Sequence, residues 1–340
     1  MAEKRALVSV IVVTYNDRRH LDECLSGLLS QRHEALEIIV VDNCSSDGTL
    51  AYVEQRFRGV VTLACDSNVG YMGGVSWGLT RARGEYVAVL NPDTRPDSDW
   101  LSHLVTALEE HPRAGAATSK ILIYGDGNRI NAMGLNIHVS GLGFCRGLNR
   151  LDRPSYEADR SSPVAGVSGC AFLIKRSLLQ QIIDIVEDDF MYHEDVELSW
   201  LIRLLGYEIY YVPNSVVHHK YNVAMDANKF YLLERNRVRW LLYALSPGAF
   251  LACLPLLALT ELLVLAYAFL KGPAYVRNKV GTWVFLVAHV RSLLRKRRRV
   301  QSLRRVSDWH ILRNFQFGYQ WDQLFRIVGR TRRLSGRGIR

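Results

Sequence analysis

The stretch Glu85–Thr94, "EYVAVLNPDT", reads as a buried strand that stops abruptly at Asn91-Pro92, with a carboxylate, Asp93, just past the break. Upstream the same pattern recurs. Leu7–Thr14 "LVSVIVVT" is a continuous apolar, β-branched run, as expected of a strand buried on both faces. Leu36–Val41 "LEIIVV" is a second, ending at Asp42, and Val60–Ala64 a third. Helical spacing fills the gaps: His20–Ser30 through Leu21, Leu25, Leu28 and Leu29, then Ser46–Arg56 behind the capping run "SSDGT", then Tyr71–Arg83. A further helix, Asp97–His111, follows the fourth strand. This βαβαβαβ order predicts an α/β fold with a mainly parallel, doubly wound sheet. Ligands of such sheets bind outside the carboxyl ends of the strands. Those ends are Thr14-Tyr15-Asn16, Asp42-Asn43, Asn68-Val69-Gly70 and Asn91-Pro92-Asp93. The fourth strand therefore stops because its end is the floor of a site.

Past about residue 115 the pattern turns mixed. Strands are expected at Ala116–Tyr124, Ser168–Ile174 and 207–213, and helices at Glu194–Leu205 and Asp226–Ala244. At 340 residues, 49% of them hydrophobic, the chain has ample material for a large core and is not disordered. The six cysteines (24, 44, 65, 145, 170 and 253) show no CxxC pairing or metal spacing and read as reduced thiols. With no small-residue cleavage site after the charged start "MAEKRALVSV", they point to the cytosol. Charge is uneven. Residues 271–340 hold 18 Lys and Arg against 2 Asp and Glu, whereas the other 270 hold 25 against 31. The net +10 belongs to the tail, and the body gives no hint of nucleic-acid binding.

Several clusters could carry chemistry. Asp42 either belongs to a turn-and-cap group or accepts a hydrogen bond from a base. "NVGYMGG" (68–74) is a glycine-rich loop entering a helix, suited to close approach by a phosphate. It follows the third strand, where the dinucleotide fingerprint would follow the first, which argues against a dehydrogenase. Asp93 either caps the next helix or offers an oxygen to a hard divalent cation. In "MYHEDVELSWLIRLLGY" (191–207), Val196, Leu198, Leu201, Ile202 and Leu205 set Glu194 and Asp195 at a helix start. There they complement the dipole or serve as a base for a hydroxyl proton. His218 and His219 follow a strand and are either structural or metal ligands.

The ordered set "VSVIVVTYN", "EIIVVDNCSSDGT", "NVGYMGG", "GEYVAVLNPDT", "VSGCAFLIKR", "MYHEDVELSW" and "VVHHKY" resembles inverting glycosyltransferase family 2, with a GT-A fold. Rhamnosyltransferase-like enzymes that extend lipid-linked glycans are the most similar subgroup, over roughly residues 7–245. The resemblance implies donor-nucleotide contacts from Thr14, Asn16, Asp42, Asn68, Gly70, Gly73, Asn91 and Asp93. It implies a Mg²⁺ or Mn²⁺ ion held by Asp93 and His219, with His218 the lesser choice, and Asp195 as catalytic base. Glu194, Trp200 and Arg235, with Asn236 beside it, would lie on the acceptor or diphosphate side. Asn91 stands where the family's DxD-type motif has its first Asp. Leu201 stands where relatives often carry Arg, and "NRVRW" (236–240) only partly echoes the QxxRW signature of processive synthases.

The expected division is a GT-A domain over residues 1–245 and a basic, partly apolar helical region over 246–340. Ala249–Leu270 is long enough to span a bilayer but carries Pro255 and, near its middle, Glu261, where an acid is costly. Val280–Leu294 is a shorter apolar stretch, followed by the basic tract 291–305. A cytosolic catalytic part and a cytosolic basic tail require a two-span hairpin or, as favoured, a re-entrant or interfacial arrangement on anionic lipid. A docked helical bundle or oligomer interface is the alternative. The expected partners are thus a nucleotide sugar, a lipid-linked glycan and an anionic membrane surface, without nucleic acid. A processive polysaccharide synthase and a nucleic-acid-binding protein are the competing functions.

Overall fold

All seven residues of Val8–Thr14 (β1) are buried, as the unbroken apolar run predicts for a strand covered on both faces. A computed structural model of the chain describes residues 6–126, 128–153, 160–221 and 225–329. Its further strands are β2 (Leu36–Asp42), β3 (Val61–Ala64), β4 (Tyr86–Leu90), β5 (Thr94–Pro96), β6 (Ala114–Ile123), β7 (Ile130–Ala132), β8 (Leu135–Ile137), β9 (Gly143–Cys145), β10 (Ser162–Pro163), β11 (Ala171–Lys175) and β12 (Glu208–His219). The α-helices are α1 (Leu21–Leu29), α2 (Thr49–Arg56), α3 (Tyr71–Leu79), α4 (Trp100–Glu110), α5 (Arg176–Val186), α6 (Glu194–Leu204), α7 (Ala227–Ala244), α8 (Pro247–Lys271), α9 (Pro273–Ala288), α10 (Val290–Ser302), α11 (Asp308–Leu312) and α12 (Trp321–Gly329).

The main sheet runs β10-β12-β6-β11-β4-β1-β2-β3. β1 pairs in parallel with β2 and β4, and β2 with β3. β11 lies antiparallel between β4 and β6, while β12 is again parallel to β6. The chain walks outward from β1 to β3 and then crosses back to set β4 on β1's other side. The carboxyl ends of β1 and β4 therefore flank the switch point where such sheets bind ligands.

Helix placement follows from strand periodicity. Leu21, Leu25 and Leu28 of α1, with Trp100, Leu101, Leu104 and Leu108 of α4, close on Val8, Val10, Val12, Val40, Ala88 and Leu90. The alternate residues of β1 meet α3, so closely that a Cβ on Gly74 would lie 2.5 Å from Val13 Cγ1. Two features depart from the sequence reading. α5 was not among the expected elements, although Leu178, Leu179, Ile182, Ile185 and Val186 give it a buried face. β12 does not end at 213. A register shift between Val212 and Val216 absorbs Pro213, and the strand continues through His219.

The chain divides into two units: residues up to 136 with 145–222 and 303–306, and residues 137–144 with 223–302 and 307 onward. The boundary near 222, not 245, groups α7 with the C-terminal helices. In this second unit Arg237 of α7 hydrogen-bonds Glu234 at 2.6 and 2.8 Å and also pairs with Glu261 of α8. Lys279 of α9 pairs with Glu234 and, at 2.7 Å, with Glu261. The acid in the middle of the apolar run is thus matched by two cations. Among the described residues α8 alone is long and apolar enough to cross a membrane. The expected second stretch is broken at His289 between α9 and α10.

Candidate active site

Thr14 and Asp42 are register partners at the ends of β1 and β2, so their side chains share one face. Both are buried, and Thr14 Oγ1 and Asp42 Oδ1 have no hydrogen-bond partner. The other oxygen of Asp42 accepts from the Ser45 N–H at 3.3 Å. Buried oxygens at strand ends are costly unless something donates to them, which makes this pair a receptor for N–H or O–H groups of a ligand. Asn16 is at φ 53°, and its side-chain oxygen accepts from the Ser46 N–H at 2.8 Å. It ties down the loop that carries Ser45 and Ser46.

At the end of β4, Asp93 Oδ2 lies 3.3 Å from His219 Nε2, and Asp93 Oδ1 is buried without a partner. Strand alternation decides between the two histidines. His219 faces Asp93, whereas His218 points to the other side, 3.3 Å from Asp97. Asn131 Oδ1 lies 2.9 Å from His219 Nδ1, which places the proton on Nδ1 and leaves Nε2 towards Asp93. Burial opposes protonation of His219, but the Cys170 sulfur and the Asp93 carboxylate outweigh it and raise its pKa to about 10. Burial likewise pushes Asp93 up, and His219 more than reverses the effect. A partnerless carboxylate oxygen beside an imidazole with a fixed tautomer fits a hard divalent cation, which would compete with the proton for Nε2. Among the described residues no group of three or more His, Cys, Asp and Glu gathers around an ion, so the protein would offer two ligands.

Asp195 sits in the first turn of α6. Burial raises its pKa to about 6, although N–H groups of Val196 and Gly169 donate to it. A carboxylate poised there is suited to take a proton near neutral pH. The approach to it is strained: Phe190, Tyr192 and His193 all have left-handed φ, between 65° and 75°. Tyr71 joins the two acids. Burial holds its phenol well above the usual value, and the charges of Glu194, Asp93 and Asp195 all reach it. One rim therefore carries both Asp93 and Asp195.

The glycosyl transferase family 2 model matches residues 9–183, more than half the chain. The chain belongs to that family. Among curated relatives, an N-acetylglucosaminyl-diphospho-decaprenol L-rhamnosyltransferase of Mycobacterium tuberculosis is 27% identical over 63% of this chain and 76% of its own. A poly-β-1,6-N-acetyl-D-glucosamine synthase of Staphylococcus aureus is 26% identical over 68% of this chain, which spans about half (53%) of the synthase. Two solved structures share the fold. GalNAc-T7 with UDP, GalNAc and Mn²⁺ has a TM-score of 0.56 at 18% identity, over 70% of this chain and 48% of that one. A mannosyltransferase of Pyrobaculum calidifontis with GDP-Man and Mn²⁺ has a TM-score of 0.53 at 18% identity, over 88% and 86%. The fold is GT-A.

Within this family 2 glycosyltransferase some expected contacts lie elsewhere. The glycine-rich loop is turned inward. A Cβ on Gly70, at φ 82°, would lie 2.0 Å from the Phe190 carbonyl oxygen, and the Tyr71 N–H donates to that same oxygen at 2.8 Å. Asn68 Oδ1 accepts from Asn43 and from the Gly70 N–H, and Gly73 packs on Val69. These residues dock the loop before Asp195 and do not leave their amides for a phosphate. Trp200 is fully buried, so it cannot line an acceptor surface. Glu194 does start α6 beside Asp195. Arg235 and Asn236 belong to the second unit, where the guanidinium bonds Asn236 Oδ1 at 3.0 Å and stacks over Phe285 and Tyr231. Three residues of the site were not anticipated: Tyr71, Asn131 and Asp17, whose pKa burial raises with help from Asp93. Tyr71 sat inside a quoted motif, and Asp17 follows the first strand's end; nothing in the polar region 125–163 marked Asn131.

Proposed function

We propose that the enzyme transfers a sugar, rhamnose or another hexose, from a nucleoside diphosphate donor to a hydroxyl of a lipid-linked glycan, with inversion. One observation carries this reading: a buried carboxylate poised at about pH 6, Asp195, shares a rim with a cation-ready Asp93–His219 pair. Thr14 and Asp42 would accept hydrogen bonds from the nucleoside. A bound Mg²⁺ or Mn²⁺ ion, held by Asp93 and His219, supplies positive charge to the diphosphate. Asp195 accepts the acceptor's hydroxyl proton while that oxygen bonds to the anomeric carbon. The bond to the diphosphate breaks, and its electron pair leaves with the diphosphate. Cationic help on one side and a base on the other amount to a single displacement.

The Mn²⁺ complexes of the two fold neighbours favour a divalent ion, and the mycobacterial relative's decaprenol-linked acceptor favours a lipid-linked one. Similarity to the staphylococcal synthase keeps a second reading, polymer synthesis; products of one added residue would exclude it. The second unit supports attachment at the cytoplasmic face of the cell membrane. Leu251, Leu259, Leu262, Phe269 and Leu270 of α8 are exposed, and α10 exposes Arg291, Arg295, Arg298 and Arg299. Screening nucleotide sugars for metal-dependent release of nucleoside diphosphate, with polyprenyl-diphosphate glycans as acceptors, tests the proposal. Release from one donor with one acceptor is expected. Release from none, in a folded and membrane-reconstituted preparation, would contradict it.

A further inference from the structure

The Tyr71 hydroxyl lies 2.8 Å from Asn91 Oδ1 and 2.8 Å from the Gly169 carbonyl oxygen. A phenol has one proton, so it can serve one of these two acceptors and leaves the other oxygen facing it unbridged. The Gly169 carbonyl can only accept. The side-chain amide of Asn91 has a second option, because its oxygen and nitrogen are placed by hydrogen-bond logic and not by shape. With the amide turned over, its N–H donates to Tyr71, Tyr71 donates to Gly169, and no buried polar group is left without a partner. The backbone next to Gly169 is tied to the base as well, since the Gly169 N–H donates to Asp195.

We propose that Tyr71 is a positioning residue that holds the Asn91 amide with its oxygen towards the Asp93 side of the cleft. Asn91 thereby presents a neutral oxygen at the place where the family's motif has a carboxylate. The inference rests on the donor and cation reading of Asp93 and His219, and it adds Asn91 as a third, uncharged oxygen for that ion. A phenylalanine at 71 would fill the same space but release the amide. Along the chain Asn91–Tyr71–Gly169–Asp195, the donor side and the base are held by consecutive hydrogen bonds.

Mn²⁺ binding in the presence of UDP, GDP or dTDP, followed by electron paramagnetic resonance without any acceptor, gives a readout independent of turnover. Asn91→Ala is expected to weaken Mn²⁺ about tenfold, and Tyr71→Phe about two- to tenfold, the worth of one hydrogen bond. The double variant should bind no more weakly than Asn91→Ala alone, because Tyr71 acts only through Asn91. Unchanged Mn²⁺ affinity in Tyr71→Phe, or additive losses in the double variant, would overturn the inference. Asp93→Asn is the control. If Asp93→Asn also leaves Mn²⁺ affinity unchanged, the cation reading itself falls; if it alone weakens binding, only the role of Tyr71 and Asn91 falls. Should Tyr71→Phe fail to fold, a crystal structure of the wild-type chain with Mn²⁺ and the best-binding nucleotide decides. An Asn91 amide oxygen directed at the ion supports the inference, and an amide nitrogen directed there overturns it.

Discussion

Asp195 and His219 do their proposed work through burial and through what faces them, and both effects can be measured. Because burial lifts Asp195 to about 6, its basic form is lost as pH falls through that value. The acid limb of kcat/KM should therefore lie near pH 6, with about a tenfold loss per unit below it. A profile flat from pH 7.5 to 4.5 would remove Asp195 from the base role. The histidines separate cleanly as well. His219→Ala should weaken Mn²⁺ binding by tenfold or more, while His218→Ala, which faces Asp97, should change it by less than twofold. Equal effects in calorimetric titrations would refute the assignment. The pair was legible as chemistry in "VVHHKY", but choosing between its members needed the strand that extends through it. Tyr71 shows the opposite limit. Its role depends on Asn91 and Gly169 converging from two other strands, and no local pattern encodes that convergence.

At the scale of elements, the four βα units were legible because their periodicities are local and unambiguous: apolar runs for strands buried on both faces, and leucines at helical spacing between them. The extension of β12 was not. Pro213 and Asn214 look like a terminator until β6 and β5 are seen pairing on either side of the bulge. The glycine-rich loop was read as a phosphate cradle because a short run of glycines looks the same whether a ligand or another loop approaches it. Here the approach is made by Phe190, which packs over Gly70 and steadies the strained turn before Asp195. Gly70→Ala should thus do more than lose a favourable φ, which costs about 1 kcal/mol. A Cβ 2.0 Å from the Phe190 carbonyl oxygen forces the turn away, so a drop in the thermal midpoint of several degrees and loss of transfer are expected together. A variant with an unchanged melt and normal transfer would show that this docking is dispensable.

For the whole molecule, the lopsided charge noticed in the sequence corresponds to a separate helical unit with exposed leucines on α8 and exposed arginines on α10. Its acid–base cluster could not be foreseen, because Glu234, Arg237, Glu261 and Lys279 come from three different helices. Membrane attachment predicts co-sedimentation with phosphatidylglycerol vesicles that weakens as salt shortens the reach of the arginines. Charge reversal at Arg291, Arg295, Arg298 and Arg299 should abolish most of it, whereas equal binding to neutral vesicles would contradict the electrostatic part. Donor capture at the ends of β1, β2 and β4 and proton removal at the start of α6 are assigned to different residues of one rim, so they should be separable. Transfer by Asp195→Asn, measured beside its affinity for the donor and Mn²⁺, tests this division most directly. Unchanged affinities with at least a hundredfold loss of transfer are predicted; an Asp195→Asn enzyme that keeps wild-type turnover would contradict the mechanism.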